Sequence, residues 1–302
     1  MRTLSGRAAI RFNPGCDPAR IDRAVRALKS TRSMAKLQKP GDYFSRAQIQ
    51  DLRQQTPWRA WAAIGHCWGV IAATWAVCIT YPHPVLILLG IGIVGARQLG
   101  LAVINHDGAH HTLFKHRGLN DWVAQWLLNR PLLGASVVPY RTYHLEHHKH
   151  TQQADDPDLV LSRPFPITPA SFRRKMLRDL TGQTGWKQAK ATVVAAFGAP
   201  DAPFARRLAR FVRRLGPNIA INAVFFSAFA IAGAWYLYFL LWVVPYLTWH
   251  MVITRIRNIG EHACVPNDDD RLRNTRTTHA GWLARAFIAP YWVNFHLEHH
   301  LL

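Results

Sequence analysis

The chain has 302 residues, enough for one large domain or two small ones. Its formal net charge is +20 and 49% of its residues are apolar, but charge and apolarity are segregated along the chain. The cysteines have neither paired spacing nor a CxxC motif, which argues against a disulfide framework and against a zinc–thiolate site; they are Cys16, Cys67, Cys78 and Cys264.

Residues 1–57 form a polar and basic region that we predict to be cytoplasmic, with twelve Lys or Arg and four acidic residues before Pro57. Asp17-Pro18 predicts the start of one helix, and Ser45 with Gln48 has the capping-box spacing that predicts another. A basic amphipathic segment beside a membrane span either lies on anionic headgroups or is simply solvated, and the sequence leaves both open. The region has no apolar core of signal-peptide length, and a solvated basic tail is favoured over a transit peptide.

Two long stretches without a charged residue follow, at 60–96 and 215–254. A membrane helix needs about 20 apolar residues to cross a hydrocarbon core of roughly 30 Å, so each stretch holds about two crossings joined by a tight turn. The predicted fold class is therefore an all-α integral membrane protein, with four transmembrane helices in two hairpins, interfacial helices and a cytoplasmic helical cap. Residues 58–302 form its membrane domain, with spans at about 61–80, 85–104, 218–233 and 235–254.

The positive-inside rule orients these spans. The segment 163–214 has twelve Lys or Arg against two acidic residues, so it is predicted to be cytoplasmic together with both termini, while the uncharged turns lie outside. This topology explains the basic residues, and we predict no nucleic-acid partner. Two other apolar stretches, 122–140 and 282–295, are interrupted by arginine and proline and are predicted to be interfacial or re-entrant helices.

Histidine is concentrated in three clusters: HDGAHH at 106–111, HLEHH at 144–148 and a second HLEHH at 296–300. Residues at i, i+3 and i+4 share one helix face, so each cluster can direct two or three imidazoles at one metal or bridge two metals. His262 stands alone below the inner end of the fourth span. The other isolated histidines are expected to be hydrogen-bonded core residues: His66, His83, His116 and His279.

All the clusters lie at predicted cytoplasmic ends of helices and can converge at one membrane face. Structural zinc needs four ligands and catalytic zinc commonly three, so about nine convergent imidazoles are too many for one ion. Two ions with open positions for O₂ fit better, and redox chemistry indicates iron among the metals that imidazole binds.

The motifs HDGAHHTLF, YRTYHLEHHKHT, RNIGEHACVPNDDDRLRNTRTT and NFHLEHHLL resemble the membrane fatty acid desaturase and hydroxylase family, and its acyl desaturase branch in particular. The resemblance covers roughly residues 40–302. It implies a di-iron centre in which His110 replaces or accompanies His111, and in which Asn258 holds a metal through water. The metal ligands that it implies are His106, His110, His111, His144, His147, His148, Asn258, His262, His296, His299 and His300.

Several carboxylates adjoin these ligands. Metal-bound imidazoles commonly donate their second N–H to such groups, so the carboxylates are predicted to orient the ligands, with simple surface charge as the alternative. The four that we predict in this role are Asp107, Glu146, Glu261 and Glu298. Three further aspartates could orient ligands or cap a turn: Asp155, Asp156 and Asp158.

The resemblance implies O₂-dependent desaturation of a lipid acyl chain, with two Fe ions as cofactor, O₂ as co-substrate and membrane lipids around the protein. No fused haem-binding or iron–sulfur module is visible, so a separate ferredoxin- or cytochrome-like electron donor is expected to dock on the basic face. The alternatives are a hydroxylase, epoxidase or carotenoid ketolase with the same centre, a membrane zinc hydrolase, and a membrane metal transporter or storage protein. The chain stops two residues after His300, where the family usually continues, so a C-terminal truncation is expected.

Overall fold

The computed structural model describes residues 39–132, 134, 136–265 and 270–302. Across these residues the chain is helical and has no strand, as the sequence predicts. The helix predicted after Asp17-Pro18 lies outside the described residues. The second predicted helix begins at Arg46, where the Ser45 side chain and the Gln48 side chain cap each other's backbone N–H groups.

The helices are numbered here in chain order within the described residues. They are α1 (Arg46–Leu52), α2 (Pro57–Thr80), α3 (Pro84–Ala109), α4 (Arg117–Val123), α5 (Val137–His150), α6 (Leu159–Ser162), α7 (Pro169–Leu180), α8 (Gln183–Phe197), α9 (Phe204–Ile231), α10 (Trp235–Tyr238), α11 (Val244–Leu247), α12 (Trp249–His262), α13 (Trp282–Phe287) and α14 (His296–Leu301). Short 3₁₀ or π turns lie at Pro40–Asp42, Ala124–Asn129, Arg130–Leu132, Phe239–Val243 and Pro290–Trp292.

Four stretches of the described chain are long and apolar enough to cross a membrane, which confirms the all-α fold with four spans. They are Arg46–Thr80, Pro84–Ala109, Phe204–Ile231 and Trp235–His262. The third begins well before the predicted residue 218. Its first turns are rich in Arg, Ala and Leu, which are good helix formers, and the helix continues through Pro217. An apolarity criterion misses this part because it is charged.

The spans pack closely around an aromatic core. A Cβ atom at Gly90 on α3 would lie 3.3 Å from Thr74 Cγ2 on α2 and 2.8 Å from Leu241 Cδ2 in the fourth span, so a larger residue here would require the Leu241 side chain to shift. The Trp75 ring lies 5.5 Å from the Phe225 ring and 5.4 Å from the Trp242 ring. The ring contacts join α2 to α9 and to the fourth span, and the close approach at Gly90 packs α3, whose last turn carries His106, against α2 and the fourth span.

Helices α7 and α8 are attached to the fourth span through a buried carboxylate. Asp179 at the end of α7 is fully buried and accepts hydrogen bonds from Arg255 Nε and Nη2 on α12. Thr184 Oγ1 donates to the same carboxylate at 2.6 Å. This network holds α12 in place at Arg255. That residue lies seven residues, or about two helical turns, before His262.

The two interrupted apolar stretches do not form long helices. Residues 122–140 contain the end of α4, two short turns and the start of α5, and 282–295 contain only the short α13 and a 3₁₀ turn. Neither is among the four candidate spans. Their predicted position at the membrane surface stays a prediction.

The prediction for the isolated histidines is wrong in one respect, because His66, His83, His116 and His279 are all exposed rather than in the core. His83 and His116 accept hydrogen bonds from backbone N–H groups at the starts of α3 and α4. His66 Nδ1 lies 2.9 Å from the Tyr291 hydroxyl. Two of these residues therefore cap helices, a role that sequence spacing alone did not reveal.

Candidate metal centre

Nine histidines converge in two groups, each with ligand atoms that all lie within 4.8 Å of one another. The five-histidine group contains His106, His110, His144, His148 and His299. The four-histidine group contains His147, His262, His296 and His300. The four residues of the second group are buried, and the first group is buried or half-buried.

The spacing of the histidines along α5 and α14 explains which histidine joins which group. His144 and His148 are four residues apart on α5, so they share a face and enter the five-histidine group. His147 is one residue before His148, which turns its side chain by about 100° toward the four-histidine group. On α14 the arrangement is exchanged: His296 and His300 enter the four-histidine group, while His299 crosses to the other.

The two groups are neighbours. The rings of His148 and His300, one from each group, stack with centroids 4.0 Å apart. The rings of His147 and His148 lie 5.9 Å apart. Because the α5 and α14 motifs each contribute to both groups, the relative position of these helices sets the spacing between the two groups.

The imidazole nitrogens face one another in a way that suits bound cations. The Nε2 atoms of His144 and His148 are 2.9 Å apart, those of His148 and His299 are 2.9 Å apart, and those of His262 and His296 are 2.7 Å apart. A neutral imidazole has one nitrogen lone pair, and converging lone pairs repel unless a proton or a cation lies between them. In addition, the buried His110 Nε2 atom has no hydrogen-bond partner.

The protonation states also fit. Burial is the main cause that lowers the pKa of His110 to about 4 and that of His144 to about 2. Burial likewise holds the pKa values of His296, His299 and His300 well below the ordinary histidine value, with neighbouring histidines adding to the effect. These side chains are therefore neutral near pH 7, which is the form that binds metals. The residues fit a pair of imidazole-bound metal ions.

Two ligand candidates are oriented from outside the groups. His147 Nδ1 lies 2.8 Å from Asp156 Oδ1 in a buried contact. Burial alone would raise the Asp156 pKa, but hydrogen bonds from His147 and from the N–H groups of Gln152 and Asp158 outweigh it and lower that pKa. His300 Nδ1 lies 3.1 Å from Thr151 Oγ1. The Nε2 atoms of both histidines are thereby directed into the four-histidine group.

The four carboxylates predicted to orient ligands differ in position. Asp107 Oδ1 lies 3.3 Å from His106 Nδ1. Glu261 Oε2 lies 3.7 Å from His296 Nδ1, and Arg257 donates two hydrogen bonds to this carboxylate. Glu298 is buried and accepts a hydrogen bond from Thr277 Oγ1.

Glu146 corrects the prediction, because its side chain is about half exposed and pairs with Lys149 and His150 rather than with a grouped histidine. The reason is helical geometry. Glu146 lies two residues after His144, so its side chain is rotated by about 200° from that of His144, to the opposite face of α5. Glu146 is therefore a surface charge, which is the alternative that the sequence leaves open.

His111 also lies outside both groups, so the structure brings His110 to the candidate site and not its neighbour. Helix α3 ends at Ala109, and His111 has a left-handed backbone with φ of 57°. Its Nδ1 lies 3.3 Å from the Asn120 Nδ2 atom and 3.3 Å from Asp121 Oδ1. Asn258 is half-buried on α12, one helical turn before His262, and its proposed water-mediated contact stays a prediction.

We expect His110→Ala and His111→Ala to separate these roles. The His110→Ala variant should lose about 10- to 100-fold in product formation because its imidazole belongs to the five-histidine group. The His111→Ala variant should stay within about threefold of the wild type, since its ring lies outside both histidine groups, beside Asn120 and Asp121. Turnover by both variants at matched expression checks this, and equal losses would contradict the assignment of His110.

A second matched pair tests orientation of the ligands. Asp156→Asn keeps the size of the side chain but removes the charge beside His147, so metal affinity or activity should fall about 10- to 100-fold. Glu146→Gln on the exposed face of α5 should change neither by more than about twofold. Metal retention during dialysis against a chelator measures the first effect, and an Asp156→Asn variant that retains metal like the wild type would refute it.

Other residues at the site are additional to the predicted set. Arg257 lies four residues before the predicted Glu261 on α12, a spacing that does favour an ion pair. Thr151 beside His300 joins segments 149 residues apart, and no local pattern reveals such a contact. The ring of Tyr140 stacks on His144 with centroids 5.6 Å apart, one helical turn away on α5.

Comparisons with known proteins place the grouped histidines in a region that matches a known family. The family model described as fatty acid desaturase matches residues 79–302, which include all nine grouped histidines. The dihydrorhizobitoxine desaturase of Bradyrhizobium elkanii is 27% identical over 273 residues, a match that covers 85% of this chain and 75% of that protein. The region matched by the family model thus contains the candidate metal centre and three of the four candidate spans.

Proposed function

The chain belongs to the fatty acid desaturase family and is an oxidoreductase of the membrane desaturase type, and from this premise we propose that it desaturates a lipid acyl chain in an O₂-dependent reaction at a pair of histidine-bound iron ions. The observation that carries the proposal is the meeting of nine imidazoles in two adjacent groups. An unactivated C–H bond offers no acidic proton, so acid–base side chains are insufficient and a redox-active centre is needed.

The five-histidine and four-histidine groups would each hold one ion. Iron bound there would supply the oxidising power that removes hydrogen from an alkyl chain when electrons and O₂ are provided. Asn258 would support one ion through a water molecule.

The role of the surrounding residues is to hold and shield the ligands. Asp156, Thr151 and Asp107 keep imidazole Nδ1 atoms engaged, so that the Nε2 atoms remain directed inward. Glu261, which is held by Arg257, lies beside the His296 Nδ1 atom in the same way. Burial of the four-histidine group excludes bulk water, which protects reactive states from side reactions.

The four apolar helices fit a protein of the membrane. We propose that the histidine groups and both termini face the cytoplasm, in line with the basic segments that flank the spans. A separate ferredoxin- or cytochrome-like protein would supply electrons, and an acidic surface on it would suit the exposed arginines and lysines of residues 163–214.

Mass spectrometry of lipids from cells that express the chain tests the reaction type. Loss of two hydrogens from an acyl chain is the expected change, and it should be absent when His147 is replaced by alanine. Gain of one oxygen instead would identify a hydroxylase with the same centre. An unchanged lipid profile in cells that supply O₂ and a competent electron donor would contradict the acyl substrate.

A metal transporter is the main candidate of another class. Transport needs polar ligands along a path through the middle of the membrane. Here the grouped histidines lie at the end of α3, at the end of α12 and on the short helices α5 and α14. This distribution favours a reaction centre at one face of the bundle.

A further inference from the structure

We propose that a cavity beside α2 and α3 binds the anionic head group of an amphiphile, at a position separate from the two histidine groups. The cavity has a volume of about 580 Å³ and lies between these two spans, α13 and the turn that follows it. His66, Arg97, Arg285 and Tyr291 form its polar side. Val70 and Ile93 belong to its apolar side.

The cavity contains two cationic side chains and no acidic one. Arg97 is only 7% exposed, donates to the Ala286 carbonyl and has its guanidinium 5.6 Å from the Tyr291 ring centroid. The Arg285 guanidinium lies 4.5 Å from the Trp292 ring centroid. Neither arginine forms an ion pair with a described residue. Guanidinium groups bind carboxylate and phosphate oxygens strongly, so an anion here would supply the missing charge.

The polar and apolar sides are ordered along the helices. Cys67 Sγ donates to the Arg97 carbonyl at 3.2 Å, which places His66 and Arg97 at nearly the same level. Gln55 Nε2, just before α2, donates to the His111 carbonyl just after α3, so the start of α2 lies near the histidine-bearing end of α3. Val70 and Ile93 each lie one helical turn farther from that end. A head group at the arginines would therefore direct an attached alkyl chain along α2 and α3, away from the histidine-bearing end of α3.

The aromatic wall of the cavity has an unusual backbone. Tyr291 and Trp292 have φ values of 52° and 65°, a left-handed conformation that bulky residues rarely adopt. Such strain is often found where a side chain must be held in place for binding. A Cβ atom at Gly100 would lie 2.7 Å from Tyr291 Cε2, so the tyrosine ring packs directly on the α3 backbone. The Tyr291 hydroxyl then reaches His66 Nδ1 at 2.9 Å.

The position of α13 suits a ligand taken from the bilayer. Trp282 lines the cavity and is 73% exposed, and Leu283 beside it is 54% exposed. Exposed tryptophan is typical of the headgroup level of a membrane. The ligand chemistry is thus an anionic oxygen group on an alkyl chain, supplied either as a fatty carboxylate or as a phospholipid phosphate.

Native mass spectrometry of the full-length protein in a neutral detergent tests the site with three probes: oleate, dioleoyl phosphatidylglycerol and oleyl alcohol. We expect an anionic probe to bind more tightly than the alcohol, and Arg285→Gln to weaken that binding by about tenfold or more. Arg285 is chosen because it makes fewer contacts within the fold than Arg97. The matched control is Arg206→Gln, which removes an exposed arginine from α9.

The anionic probe that binds more tightly identifies the source of the head group. Tighter binding of either oleate or dioleoyl phosphatidylglycerol than of oleyl alcohol supports the site. Arg285→Lys should retain most of the binding because it retains the charge. Equal binding of oleyl alcohol and both anionic probes would overturn the proposal. Binding by Arg285→Gln equal to that of the Arg206→Gln control would overturn it as well. Neither readout requires bound metal or turnover, so the result is independent of the proposed reaction.

Discussion

Replacing His147 with alanine is expected to lower bound iron from about two ions per chain to about one, and to reduce product formation by more than about 100-fold. Of the histidines in the described part of the chain, the four-histidine group would keep only His262, His296 and His300. The Asp156 carboxylate would also lose the imidazole that it contacts. The five-histidine group would remain complete, which is why one ion should stay bound.

His148→Ala is the matched control for this result, because it removes the next residue of the same motif from the other group. The five-histidine group would still offer four imidazoles, so iron should stay closer to two ions per chain than in His147→Ala. Iron and protein measured on the same purified samples give the comparison. Equal iron contents in the two variants would show that the histidines do not divide as the structure places them.

The Asp179→Ala variant is expected to lose about 3 kcal/mol of folding stability. Its carboxylate is fully buried, and Arg255 and Thr184 both donate to it. Removing it leaves a partly buried guanidinium without its counterion and removes the polar link that joins α7 and Thr184 of α8 to α12. Since α12 carries His262 at its last residue, faster loss of metal should accompany the lower melting temperature.

Thermal unfolding in detergent, followed with and without metal, measures this effect. Asp201→Ala serves as the control because Asp201 is exposed and lies in the turn between α8 and α9. That variant should unfold within about 1 °C of the wild type. An Asp179→Ala protein with an unchanged melting temperature would mean that the buried ion pair does not hold α7 and α8 in place.

The sequence predicted the parts of this protein that depend on local patterns. Uncharged stretches of sufficient length predicted four spans, and spacing of i, i+3 and i+4 predicted which histidines share a helix face. The start of α9 was misplaced because its first turns are helical but charged. Helix propensity and membrane apolarity are separate properties, and the absence of charge indicates only the second.

Other features depend on contacts between distant segments. The assignment of His147 to one group and His148 to the other follows from the packing of α5 against α14. The choice of His110 over His111 follows from where α3 ends, since a left-handed residue after the helix turns the His111 side chain away. The Thr151–His300 contact and the Asp179–Arg255 pair likewise join segments that no periodicity connects.

Metal analysis of the purified wild-type protein tests the central claim most directly. The account predicts about two iron ions per chain, bound by neutral imidazoles of two adjoining groups. A preparation that is fully active and contains a single zinc ion per chain, with no iron, would contradict it.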